Sequence, residues 1–141
     1  MPPPLLVNQA GVIPILENRL CMVTSRNGRR WVFPKGVIES GHTPGEAALL
    51  EAWEEAGLVG LLDSEPIGNY VYDKGNRPHH VLVYRMRVIE ARDSYPERGL
   101  RERAWVSVDD AIDRVEEPTL RELLRRVFGV NHPDRITLSI V

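Results

Sequence analysis

Cysteine occurs once in these 141 residues, lysine only twice, and aromatic side chains make up just 6%. The lone Cys21 cannot close an internal disulfide, so the fold must rest on its core, as in a reducing compartment. Its position in the apolar segment 20–23 fits a buried strand site and not a nucleophile. No apolar stretch approaches the roughly 18 residues of a membrane helix, which excludes a helical span. The opening MPPPLLVNQAG lacks the basic start and apolar centre of a secretory signal, so the cytoplasm is the expected location. A net charge of −2 excludes a strongly basic nucleic-acid binder. With Lys35 and Lys74 the only lysines among 18 basic residues, the positive charge is almost all arginine, the side chain that grips phosphate bidentately, although an arginine-rich coding bias accounts for most of the count without any function.

What is present reads as an ordinary globular domain, with 43% hydrophobic and 27% charged residues. Length predicts a single domain over residues 1–141, able to bury about two thirds of the surface its unfolded chain exposes. Strand-like runs at 10–16 and 20–25, separated by Glu17, Asn18 and Arg19, predict a hairpin. Asn27-Gly28 signals a turn before a short strand at 31–33. Two further strands are expected at 66–72 and 81–89, with residues 73–80 as a flexible polar connection holding His79 and His80 in an exposed turn. In the second of these, Arg85 and Arg87 should point away from the core. After a polar loop at 91–99 come a strand at 101–106, a helix at 108–115 capped by Ser107, and a helix at 117–128 stopped by Gly129. The closing ITLSIV alternates like an edge strand that packs on the domain or on a second copy, which makes a homodimer a candidate assembly. The element order is α+β, with a mixed sheet and helices on both faces.

The chemistry lies between Trp31 and Leu58. Thr43, Pro44 and Glu46 form a capping box with proline at the first helical position, and Gly57 supplies the stop. Inside that helix Glu51, Glu54 and Glu55 are offset by three and four residues, so their carboxylates share one face. Like charges at this spacing repel, and a hard cation such as Mg²⁺ or Mn²⁺ would hold them together. A solvated acidic face is the plain alternative. Leu49, Ala52, Trp53 and Ala56 are expected to pack on the core, leaving Ala47 and Ala48 as small neighbours beside the acidic side with room for a ligand.

Measured from Gly36, the segment resembles the Nudix box, G-x5-E-x7-R-E-U-x-E-E-x-G-U with U aliphatic, at Gly36, Glu51, Glu54, Glu55, Gly57 and Leu58, and a Phe-Pro-Lys-Gly run leads into it. His42, Leu50 and Ala52 stand where the pattern has Glu, Arg and a larger aliphatic. The resemblance implies a Nudix-like α/β/α sandwich and hydrolysis of a diphosphate linkage. It implies that Glu51 and Glu55 hold the divalent metal, with the backbone carbonyl of Lys35, and that Glu54 or Glu51 activates water. His42 is an uncertain ligand, either a loop residue or a donor to a borderline metal. Without an arginine at position 50, the charge-assisted bond that ties the first helical carboxylate in place is missing.

The remaining phosphates of a substrate need cations, and Arg26, Lys35, Arg77, Arg101 and Arg103, with Gly36 in the loop, are the candidate substrate-binding residues. Their distribution resembles the diphosphoinositol polyphosphate phosphohydrolase branch, which also accepts dinucleoside polyphosphates, although that branch has Gly-Gly-Gly where this chain has Pro34-Lys35-Gly36. Two other readings stay open. One is a catalytically weak ligand-binding or regulatory module, the other a nucleoside triphosphate or RNA-cap pyrophosphohydrolase.

Overall fold

Two strands form the spine of the sheet, and the computed structural model, which describes residues 5–129, shows why. Strands β1 (Val7–Leu16) and β7 (Arg77–Ala91) run parallel, from Val7 beside His79 to Ile15 beside Arg87. Each is long enough to serve two partners on its other edge. On β1 these are β2 (Arg19–Thr24) at one end and β4 (Lys35–Val37) at the other, both antiparallel. On β7 they are β6 (Gly68–Lys74) and β5 (Leu58–Leu62), again antiparallel. Strands β3 (Trp31–Val32) and β8 (Arg103–Val106) both pair with β2. The sheet is therefore mixed, as expected.

Alternation along the strands feeds two cores. Ile13, Leu20, Met22, Val81 and Val83 face helices α2 (Val108–Arg114) and α3 (Pro118–Phe128). Val12, Cys21, Val23, Tyr84 and Met86 face helix α1 (Pro44–Ala56) on the opposite side. This period-two division makes the α/β/α sandwich. Cys21 is fully buried, and loss of hydration pushes its thiol up to about 12, so it remains a core residue. Arg85 and Arg87 are exposed, and Arg85 pairs with Asp63 at 2.9 Å.

Helix α1 begins and ends where its residues dictate. Thr43 accepts from the Glu46 amide while Glu46 accepts from the Thr43 amide, and Gly57 closes the helix at φ 69°. A Cβ at Gly57 would lie 2.4 Å from the Tyr95 ring, so close packing as well as the left-handed backbone requires glycine there. The buried stripe differs from expectation. Ala47 and Ala48 are buried with Ala52 and Ala56, whereas Leu49 and Trp53 are only half-buried. The small side chains let α1 lie close on the sheet and do not line a ligand pocket.

Two other expectations are corrected. Residues 73–80 are not a flexible connection: β6 and β7 form one hairpin joined by Gly75 and Asn76, at φ 60° and 61°, the signature of a primed two-residue turn. His79 and His80 accordingly lie in a strand, half-buried. Strand β5, directly after Gly57, was not foreseen; Gly60 sits at a register shift against β7, which interrupts its pattern. The ITLSIV segment lies outside the described residues.

Candidate active site

The split edge of β1 creates the site. Between β2 and β4 the chain leaves the sheet at Phe33 and Pro34, and the Pro34 carbonyl returns to accept from the Val12 amide at 3.1 Å. Gly11 permits that approach, since a Cβ there would lie 2.6 Å from the Pro34 oxygen and 2.7 Å from Lys35 Cβ. The Lys35-Gly36 backbone is thereby laid against α1. The Lys35 amide donates to Glu55 Oε1 at 3.3 Å, and Gly36 faces Glu51 so closely that a Cβ would lie 2.3 Å from its carboxyl carbon.

A second wall comes from residues 92–102, the loop before β8. The Arg92 amide donates to the Gly57 carbonyl and the Glu97 amide to the Glu54 carbonyl, both at 2.9 Å. The loop thus covers the open carbonyls at the end of α1. It brings Arg101 Nη2 to 3.5 Å from Glu55 Oε2, while Arg101 Nε donates to Glu97 Oε1 and Nη1 to the Thr24 carbonyl, both at 2.9 Å.

Burial and crowding set the protonation of this cluster. Desolvation, followed by the neighbouring Glu54 charge, raises the proton affinity of Glu51. Glu55 is only 6% exposed, and desolvation pushes it from 4.5 to about 8, with Arg101 opposing the shift and Glu51 and Glu97 adding to it. The Arg101 ion pair favours an ionised Glu55 and burial a neutral one. Burial is the larger effect and the adjacent Glu51 carboxyl adds to it, so the crowded pair favours holding a proton.

Among the described residues no three acidic or imidazole side chains converge into a complete metal cage. A hard divalent ion does not need one, because Mg²⁺ is commonly held by one or two carboxylates and completed by water and substrate phosphate. Two crowded carboxyls, Glu55 buried and Glu51 half-buried, each with raised proton affinity, fit such an ion, which would replace the proton they favour. This has a measurable consequence. Between about 4.5 and about 8 the folded, metal-free chain keeps a proton that the unfolded chain has lost, so its stability falls as pH rises through that window. Thermal melts in EDTA should show Tm declining across the interval, and millimolar Mg²⁺ should recover most of the loss at its upper end. A flat Tm would mean that the pair is not strained by its charge.

The other candidates are placed as follows. The Lys35 side chain crosses to the opposite side of the loop, with Nζ 5.0 Å from the centre of the Tyr72 ring; burial lowers its proton affinity, while Glu55 and Glu117 act to raise it. Tyr72 stacks on His79 at 4.9 Å and donates to Gln9 at 2.7 Å. Arg26 is exposed in the turn after β2, and Arg77 is exposed at the β6–β7 tip. Arg103 turns away from the carboxylates and donates to the Ala56 and Arg92 carbonyls at 2.7 and 2.9 Å. The structure thus unites Glu51, Glu55, Gly36, the Lys35 backbone and Arg101, and leaves Arg26, Arg77 and Arg103 outside that cluster. Sequence reading overlooked Glu97, whose only signal is its place four residues before Arg101 in a loop of other charges.

The NUDIX domain family profile matches residues 6–127. The chain belongs to the Nudix family. It is 34% identical to Nudix hydrolase 13, mitochondrial, of Arabidopsis thaliana, over 89% of this chain and 71% of that protein. It is 33% identical to diphosphoinositol polyphosphate phosphohydrolase 3-beta of Bos taurus, over 77% of this chain and 67% of that protein. Against Nudix hydrolase 4 of Arabidopsis, 32% identical, it spans only 55% of the relative's length. A crystal structure of C. elegans Ap4A hydrolase superposes with a TM-score of 0.69 at 18% identity, covering 97% of this chain and 100% of that one, which confirms the fold. At the three Nudix-box departures, Ala52 is fully buried under the sheet, whereas His42 and Leu50 are exposed. No described helix is long and apolar enough to cross a membrane.

Proposed function

We propose that this chain hydrolyses the diphosphate linkage of a heavily phosphorylated small molecule, with Mg²⁺ or Mn²⁺ as cofactor. The observation that carries the reading is the Glu51–Glu55 pair set against the Lys35-Gly36 backbone, with Glu55 buried and Glu51 half-buried. A module that bound ligands without metal would gain nothing from that arrangement. When bound, the metal neutralises charge on the phosphate oxygens and lowers the proton affinity of a water. Glu51 and Glu55 would supply its carboxylate ligands, with the Lys35 carbonyl as a third donor, and Glu54 would take the proton from the attacking water. Lys35 Nζ, Arg26 and Arg77, which lie outside the carboxylate cluster, are the cations we assign to the phosphates that do not react.

For the substrate, diphosphoinositol polyphosphates and dinucleoside polyphosphates are the two classes we favour. The first is supported by the name of a relative 33% identical to this chain, and the second by that of an Ap4A hydrolase that shares the fold at 18% identity. The Tyr72–His79 stack beside Lys35 favours the second, since a planar base can extend a stack and an inositol ring cannot. Nucleoside triphosphates form the runner-up class on the same ground. A cytoplasmic location belongs to the same proposal.

The test is product release by the purified protein with Mg²⁺ or Mn²⁺ across diphosphoinositol phosphates, dinucleoside polyphosphates, nucleotide sugars and nucleoside triphosphates. Metal-dependent release from one of the first two groups, at least tenfold above the rest, is expected. Binding without turnover across the whole panel would replace the hydrolase reading by that of a ligand-binding module.

A further inference from the structure

Leu50 leaves helix α1 without a cation of its own beside Glu51, and it is 37% exposed. Glu55 nevertheless has one. Arg101 reaches it from the loop before β8, and the side chains of both residues are only 8% exposed. All three guanidinium nitrogens face protein oxygens: Nε meets Glu97 Oε1, Nη1 the Thr24 carbonyl, and Nη2 Glu55 Oε2. Two of these contacts, at 2.9 Å, are anchors, and the third at 3.5 Å is the charge they aim.

The anchors are themselves held. Thr24 is joined to Glu102 twice, through its amide to the Glu102 carbonyl at 3.1 Å and through its hydroxyl from the Glu102 amide at 2.9 Å. Glu97 hangs from the Glu54 carbonyl by its own amide. The loop carrying Arg101 and the helix carrying Glu55 therefore keep a fixed relation. On Glu55, one oxygen accepts from the Lys35 amide and the other faces Arg101, and each retains a lone pair for a metal.

We propose that Arg101 is a positioning residue for Glu55, holding its carboxylate beside Glu51 from outside the Nudix box where position 50 offers no guanidinium. This rests on the hydrolase reading above. It also moves Arg101 out of the substrate-binding set, because its side chain is only 8% exposed and three of its five N–H donors already meet protein oxygens. Outer partners of this kind commonly change metal affinity or activity by about 10–100-fold when removed.

The experiment compares wild type with Arg101→Met, Arg101→Lys and Glu97→Gln. Mn²⁺ affinity is read from the electron paramagnetic resonance of free Mn²⁺, and kcat and KM on the best substrate of the panel at saturating metal. Arg101→Met should weaken Mn²⁺ binding and lower kcat, each by about 10–100-fold, with KM moved less than about threefold. Arg101→Lys should recover part of the loss through its charge alone, and Glu97→Gln, which frees the aim but keeps the guanidinium, should lose severalfold. Added guanidinium at sub-denaturing concentration should partly rescue Arg101→Met, which a purely structural role would not allow. If Arg101→Met does not fold, the lysine and Glu97 variants decide. Mn²⁺ affinity unchanged or increased in the variants, or a raised KM with kcat kept, overturns the proposal. Should wild type itself neither bind Mn²⁺ nor hydrolyse any substrate, the hydrolase reading falls and takes this one with it.

Discussion

Replacing Gly36 by alanine is expected to lower kcat by about 10²-fold or more while moving Tm by no more than a few degrees. The new Cβ would lie 2.3 Å from the carboxyl carbon of Glu51 and 2.5 and 2.7 Å from its oxygens, so the two groups cannot coexist as placed. Glu51 is half-buried and its side chain flexible, so it can swing outward without disturbing the sheet. The fold survives, but the carboxylate leaves Glu55, and a displacement of about 1 Å in a catalytic group commonly reduces rate by about 10²-fold. Gly45→Ala is the control, because its Cβ would meet only Leu62 at an ordinary 3.6 Å. The checks are kcat, Mn²⁺ affinity and Tm on both variants. Full activity in Gly36→Ala would show that Glu51 does not hold the metal from this position.

Glu54→Gln should be the more selective lesion. Glu54 lies one residue before Glu55, its charge contributes to the raised proton affinity of Glu51, and among the described residues its carboxylate forms no ion pair. A carboxylate beside the Glu51–Glu55 pair and without a guanidinium partner is suited to take a proton from water. Loss of a general base commonly removes about 10²–10⁴ in rate. We expect that loss in kcat with Mn²⁺ affinity and Tm close to wild type, whereas Glu51→Gln should lose Mn²⁺ affinity as well. Turnover unchanged in Glu54→Gln would assign the base elsewhere, with Glu97 the next carboxylate to test.

The two lesions differ in how well sequence anticipates them. Glu54 can be named from helix periodicity and the Nudix box, since residues at fixed offsets on one helix keep their relation whatever the rest of the fold does. The clash at Gly36 depends on a contact between β4 and α1 that the chain makes only after β1 has split its edge between two partners. The same division explains the misread regions. Residues 73–80 are polar because this end of the β6–β7 hairpin is exposed over 73–77 and only half-buried over 78–80, so no buried face imposes alternation. Strand β5 was hidden by Gly60, whose absent side chain admits the Arg87 carbonyl at the bulge. Ala47 and Ala48 looked like space for a ligand because small residues fit both a pocket and a tight helix–sheet contact, and periodicity does not choose between them.

By itself, then, the sequence determined the elements whose causes are local: the capped helix and its three carboxylates, the turns at Asn18 and Gly28, the alternating strands, and through them the Nudix family and its sandwich. Only the tertiary structure decided which charges meet. Arg101 and Arg103 are two residues apart and looked equivalent, yet one aims at Glu55 and the other caps the end of α1. Their assignment comes from pairing between segments far apart in the chain, where loop closure and packing, not local preference, set the distances.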